Sequence, residues 1–192
     1  MSNTTVSVGR KVYHGTSGRA AEQILLRGGI CPPASSPKLA NRYLLSKGAL
    51  RPDARYVYLV PKSFEAIMFG VVRAVGVKWS QGRYEIKPFA TNKANDSVVV
   101  FEVNTENLNQ SLFRKSGLFR GEVAYEGVID VRNGMKGLEF PMTRRLYEFA
   151  RDIQTPQLLN RYVGMDLMDY LQGKQFELGA PFRLMRNRKN KP

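Results

Sequence analysis

Two hydrophobic periods divide this chain into helices and strands. Apolar side chains recur at helical spacing in residues 18–27 and 64–75, which predicts two early helices capped by Ser17 and Ser63. Gly28 is suited to the left-handed backbone that ends the first of them. Alternating or β-branched runs predict the strands, which cover 11–13, 55–60, 97–103 and 122–131.

The end of the chain is helical by the same criterion. Residues 143–153 are amphipathic, and Pro156 begins a second helix whose apolar face continues to Leu171. Together with the strands, these helices predict an α+β fold. We expect a strand-rich body over 1–140 and a helical C-terminal extension with a basic tail over 141–192, packed on the same domain.

The composition is that of a globular protein with a large positive charge. The chain is 43% hydrophobic and 24% charged, as in ordinary globular domains. Its 30 Lys and Arg against 16 Asp and Glu give a net charge of +14, and the excess is spread along the sequence. This charge predicts a polyanionic partner, nucleic acid first and an acidic protein or anionic membrane surface second. The alternative is a basic protein that is merely soluble.

Other features argue against several protein classes. No apolar run is long enough to span a membrane, and the first residues lack the basic and apolar regions of a signal peptide. One cysteine and one histidine exclude an internal disulfide and argue against a zinc site. We therefore expect a cytoplasmic protein that needs no metal.

The histidine lies in the stretch Tyr13-His14-Gly15-Thr16-Ser17, directly after the first predicted strand. A glycine beside it lets the backbone come close to a ligand. The stretch therefore suits a binding site, and the alternative is a turn with a solvated imidazole.

Two later stretches carry aromatic and acidic side chains. Tyr58 lies near the end of a predicted strand and Phe69 in the helix that follows, so the pair is suited to hold a flat ring between them. Glu122 begins a strand directly after a basic loop, where a carboxylate can stabilise a cation in a partly closed site. The alternatives are core packing for the aromatic pair and solvent exposure for the glutamate.

In this order and spacing, the three stretches resemble the mono-ADP-ribosyltransferases of the diphtheria-toxin and poly(ADP-ribose)-polymerase branch, which carry His, Tyr and Glu on three separate strands. His14 lies in the stretch similar to the first motif, and Tyr58 and Phe69 are similar to the ring-stacking pair. Residues 122–129 are similar to the third motif, in which Val follows the catalytic Glu and Gly and Ile come later. The resemblance covers residues 11–131 and implies a split antiparallel β-sheet core with flanking helices.

The same resemblance implies NAD⁺ as the co-substrate and a catalytic domain over 1–140. Glu122 would stabilise the oxocarbenium-like sugar and hold its 2′-hydroxyl, while His14 would orient the same ribose. The expected catalytic residues are Glu122, His14 and Tyr58. Further contacts to NAD⁺ are expected from the Gly15 backbone, the Thr16 hydroxyl, the Tyr58 and Phe69 rings and, at the pyrophosphate, Arg42, Arg51 or Arg55.

The segment over 111–121, predicted to be a loop, is expected to choose the acceptor. It interleaves cations with aromatic rings, which suits phosphate contacts and base stacking on single-stranded nucleic acid. Arg120 stands two residues before Glu122, where family members that modify arginine have Glu or Gln. The substrate-binding residues expected in this loop are Arg114, Lys115, Phe119 and Arg120.

The leading hypothesis is a transferase of ADP-ribose to nucleic acid, to single-stranded RNA in preference to DNA. Its expected setting is a toxin of a toxin–antitoxin or phage-defence system, with an acidic antitoxin as partner and no membrane association. Three alternatives stay open: the same chemistry on a host protein, a non-catalytic nucleic-acid-binding protein on a degenerate transferase fold, and an RNA 2′-phosphotransferase.

Overall fold

A computed structural model describes residues 8–32, 55–80, 83–89, 96–116, 121–131 and 135–178. The predictions for Arg42, Arg51, Phe119 and Arg120, and for the basic tail, lie outside these residues. The α-helices are α1 (Gly18–Arg27), α2 (Ser63–Val75), α3 (Arg144–Asp152), α4 (Pro156–Leu159) and α5 (Leu167–Tyr170). The strands are β1 (Lys11–Ser17), β2 (Gly29–Ile30), β3 (Tyr56–Leu59), β4 (Val77–Ser80), β5 (Arg83–Ile86), β6 (Ser97–Asn104), β7 (Phe113–Lys115), β8 (Val123–Glu126), β9 (Ile129–Asp130), β10 (Lys136–Pro141) and β11 (Lys174–Glu177).

The strands form two main sheets and two short ribbons, and the pairings within the described residues are antiparallel. The larger sheet has the order β1-β6-β10-β11, and the smaller one has the order β3-β8-β7. The ribbons are β2-β9 and β4-β5. Most neighbouring strands of the two main sheets are distant in sequence, and of the described pairs in these sheets only β7 and β8 lie close along the chain, so each sheet depends on long-range pairing.

Two hydrophobic cores lie on opposite faces of the larger sheet. The first core joins that sheet to the smaller one, because Val99 and Phe101 of β6 share it with Leu59 of β3 and Val123 of β8. Helix α1 contributes Ala21 to the same core. The second core packs helices on the other face, and its members include Val98, Val100, Ile67, Val71, Leu146 and Phe149. The alternation of Val98 to Phe101 between the two cores is the two-residue period of a strand buried on both faces.

The first helix confirms its predicted bounds and caps. The Ser17 hydroxyl accepts a hydrogen bond from the Ala20 N–H at 3.4 Å, and Gly28 ends the helix at φ +72°. For the second helix the predicted cap was wrong. Lys62 has the extended backbone of an N-cap, φ −123° and ψ 134°, so Ser63 already lies in the first turn.

One predicted strand was too short, and several observed strands were not predicted. Strand β1 continues four residues beyond the predicted 11–13, to Ser17, because each of its residues pairs with β6. His14 therefore lies within a strand and opposite Phe101, rather than in a turn. The predicted loop at 111–121 contains β7, which gains its partners from β8. Strands β10 and β11 were not predicted.

The single long helix predicted from Pro156 to Leu171 was wrong. Two short helices, α4 and α5, take its place, with a 3₁₀ turn and Gly164 at φ +80° between them. Asp166 starts the second of them by accepting hydrogen bonds from two backbone N–H groups. The segment beyond residue 141 also contributes β11 to the larger sheet, so it is not helical throughout.

The architecture confirms the α+β class, with antiparallel sheets and separate helices. Within the described part of the chain, no helix has the length and apolar character needed to cross a membrane.

Candidate functional site

The two main sheets meet where β1 passes the end of β3. Tyr13 and Val60 exchange two backbone hydrogen bonds there, of 2.8 and 2.9 Å. The carbonyl of Tyr58 lies on the same edge of β3 as that of Val60, because alternate residues of a strand point the same way. It therefore faces β1 at the point where the two strands cease to pair.

The imidazole of His14 fills this junction. Its Nδ1 lies 3.1 Å from the Tyr58 carbonyl oxygen, which can only accept a hydrogen bond. Nδ1 must therefore carry the proton, and neutral His14 presents Nε2 as an acceptor. This tautomer suits a ligand that offers a hydroxyl group to the ring.

Burial lowers the pKa of His14 to about 4, and the positive charge of Arg73 acts in the same direction, while the bond to Tyr58 opposes it. The ring is consequently neutral at pH 7. The tautomer and the charge state together make His14 a hydrogen-bond acceptor for a ligand rather than a cation.

Gly15 and Thr16 serve packing in this structure. A Cβ on Gly15 would lie 2.5 Å from the carbonyl carbon of Ala66 and closer still to its oxygen, so the missing side chain lets α2 lie directly on β1. Thr16 is 3% exposed and lies opposite Val99 of β6 within the larger sheet. Close packing of α2 on β1 therefore requires glycine at position 15, a structural role that the sequence did not reveal.

The aromatic pair lies on adjoining elements. Tyr58 is in β3 opposite Ala124 of β8, and Phe69 is in the middle of α2; both are half-buried. Phe69 packs at the margin of the second core. Packing therefore accounts for part of the burial of Phe69, as the core alternative expected for this ring.

Glu122 lies directly before β8 and is 4% exposed. It accepts a hydrogen bond from the hydroxyl of Ser116, which is also buried, and its backbone carbonyl accepts the Ser116 N–H at 3.2 Å. The solvent-exposed alternative for this glutamate was therefore wrong.

Burial raises the pKa of the Glu122 carboxyl, and the Ser116 hydrogen bond acts against that rise. A hydroxyl donor favours the ionised form, because the carboxylate accepts the bond more strongly than the neutral acid. Ser116 thus helps to keep a negative charge in a buried place.

Strand β3 separates His14 from Glu122. The bridge of Tyr13 to Val60 and the pairing of Leu59 with Val123 put the two residues on either side of this strand. Neighbouring strands are about 4.8 Å apart, so the two backbones are separated by roughly 10 Å.

The predicted cationic contacts differ in their environments. Arg114 Nη1 donates to the carbonyls of Ser111 and Phe113, so part of its guanidinium is bound to its own chain. Lys115 is exposed at the end of β7. The Arg55 guanidinium lies over the Tyr56 ring at 5.4 Å from its centroid.

Two residues of the site were missed from sequence. Ser116 is six residues before Glu122, and only the antiparallel register of β7 and β8 makes them neighbours. Arg73 follows Phe69 by four residues on α2, so the helical period places both on one face. The helical spacing of Phe69 and Arg73 was visible in the sequence. The proximity of Ser116 to Glu122 depended on the strand register.

Comparison of the chain with protein-family models, curated proteins and solved structures finds no match.

Proposed function

We propose that this chain is an NAD⁺-dependent mono-ADP-ribosyltransferase that modifies nucleic acid, with single-stranded RNA as the acceptor. The proposal includes the split antiparallel sheet that the sequence resemblance implies. The observation that carries it is the pair of His14, neutral with Nε2 as acceptor, and Glu122, a buried carboxylate, on either side of β3.

The proposed reaction is a substitution at C1′ of the ribose next to nicotinamide. The bond from C1′ to the nicotinamide nitrogen breaks, and its electron pair leaves with nicotinamide, whose ring becomes neutral. A nucleophilic atom of the acceptor forms the new bond to C1′ and loses its proton to solvent. Positive charge develops on the sugar between these events, as in glycoside hydrolysis.

The side chains of the site fit this chemistry. Glu122 provides the negative charge that stabilises the developing cation, in a buried place where electrostatic interactions are stronger than in water. His14 accepts a ribose hydroxyl at Nε2 and orients the sugar. Tyr58 and Phe69 are half-buried rings suited to contact the flat nicotinamide.

The choice of acceptor rests on charge. The net charge of +14 favours a polyanion, and exposed Lys115 lies at the base of the loop that precedes Glu122. Single strands present unpaired bases that need not be extruded from a duplex. In a cell, such an activity suits a toxin whose acidic antitoxin covers the basic surface.

Labelled NAD⁺ tests the proposal. The protein is incubated with NAD⁺ carrying ³²P in its phosphates, together with single-stranded RNA, single-stranded DNA, duplex RNA or cell extract. We expect label on single-stranded RNA, and loss of that label with Glu122→Gln.

Each other result selects a different function. Label on protein alone would support an effector that acts on a host protein. Polymer binding without consumption of NAD⁺ would support a nucleic-acid-binding protein without catalysis. Removal of a 2′-phosphate from RNA in an NAD⁺-dependent reaction would support the phosphotransferase.

A further inference from the structure

We propose that Ser116 is a positioning residue for Glu122: it holds the carboxylate in the one orientation that faces the ribose of NAD⁺. This inference rests on the proposed function. It adds a residue that directly follows β7 to a site whose other members lie on β1, β3 and α2 or before β8.

The contact between the two residues has two parts. The Ser116 hydroxyl donates to the Glu122 carboxylate, and the Ser116 N–H donates to the Glu122 carbonyl oxygen at 3.2 Å. The backbone bond extends the register of β7 and β8, in which Lys115 lies opposite Val123. The side chain of Ser116 therefore lies beside that of Glu122 as the next cross-strand pair.

The two-part contact separates the fold from the orientation. The backbone bond holds the ends of the two strands together whatever the side chain at position 116. The hydroxyl fixes the carboxylate, whose terminal torsion is otherwise broad. A variant without the hydroxyl should therefore keep the strand pairing and lose the orientation.

The burial of both residues makes the hydroxyl important. Ser116 is 8% exposed and Glu122 is 4% exposed, so water cannot readily replace the donor. A buried acceptor that loses its donor must turn to another partner or take up a proton. Either change withdraws negative charge from the ribose.

Four proteins test this inference: wild type, Ser116→Ala, Ser116→Thr and the control Ser97→Ala. Ser97 is a buried serine at the start of β6 in the larger sheet, whereas Glu122 precedes a strand of the smaller sheet, so Ser97→Ala removes a buried hydroxyl from a different sheet. The reaction followed is nicotinamide release from NAD⁺ with water as acceptor, which does not depend on the identity of the polymer.

For Ser116→Ala we expect kcat to fall roughly 10- to 100-fold, the effect of one hydrogen bond to a charged group. The KM for NAD⁺ should stay within about twofold, because the hydroxyl acts on the transition state. The acidic limb of the pH profile should move to higher pH, since loss of the donor raises the pKa of Glu122 further. Ser116→Thr should have the kcat and the pH profile of wild type. Ser97→Ala should resemble wild type.

The Glu122 carboxyl can also be observed without turnover. ¹³C NMR of glutamate carboxyls, assigned with Glu122→Gln, should show a higher pKa for Glu122 in Ser116→Ala than in wild type. This measurement keeps the test decisive if the threonine variant does not fold.

Failure of this inference is distinct from failure of the proposed function. An active wild type with an equally active Ser116→Ala, or a variant whose KM rises while kcat stays constant, overturns the positioning role alone. A wild type that releases no nicotinamide with either water or single-stranded RNA as acceptor overturns both proposals.

Discussion

The charge of His14 can be tested by pH. Burial lowers its pKa from the ordinary 6.5 to about 4, so the folded protein binds this proton less readily than the unfolded chain. Each pKa unit corresponds to about 1.36 kcal/mol, so this pKa difference contributes about 3 kcal/mol to the pH dependence of the unfolding free energy. This stability is present above pH 6.5, falls as the pH drops towards 4, and is absent below it.

The comparison with His14→Asn isolates this contribution. Asparagine can still donate to the Tyr58 carbonyl but cannot gain a proton. Between pH 7 and pH 4, the free energy of unfolding of the wild type should fall by about 3 kcal/mol more than that of the variant. Urea unfolding at several pH values measures the difference directly.

A single histidine makes the direct titration simple as well. Its ring protons in the NMR spectrum should change position near pH 4 and remain constant from pH 6 to 8. A titration between pH 6 and 7, or equal pH dependence of wild type and His14→Asn, would refute the neutral ring and with it the assigned role of Nε2.

Two further predictions concern stability. Gly15→Ala should lower the unfolding free energy by about 3 kcal/mol, because its Cβ would meet the backbone of Ala66. Gly9→Ala, where the nearest neighbour of a Cβ is an oxygen at 3.8 Å, is the matched control and should change it by less than about 1 kcal/mol. Asp152→Asn should lower the unfolding free energy by about 2 kcal/mol, since the buried carboxylate accepts a hydrogen bond from the Tyr162 hydroxyl at 3.0 Å. Urea unfolding measures each change. Unchanged stability of the Gly15 or Asp152 variant would contradict the contact described for that residue.

Local signals explain what the sequence predicted well. The first helix is determined by a capping serine, an apolar face and a glycine at its end, all within twelve residues. The central strand β6 has β-branched residues for both cores, so its run of valines is informative without knowledge of its partners.

Contacts between separate elements explain what the sequence did not predict. Strand β7 is three residues long, and its polar character resembles a loop until β8 supplies its hydrogen bonds. The proximity of Ser116 to Glu122 follows from that same register. The role of Gly15 in packing depends on where α2 crosses β1, which no local pattern encodes.

Nicotinamide release is the most direct test of the assigned site. Wild type, Glu122→Gln and the control Glu126→Gln are each incubated with NAD⁺ and single-stranded RNA; Glu126 is a half-buried glutamate at the end of β8. We expect release by wild type and by the control, a fall of at least about 100-fold for Glu122→Gln, and NAD⁺ binding retained in all three. No release by folded wild type, or equal rates for wild type and Glu122→Gln, would contradict the site.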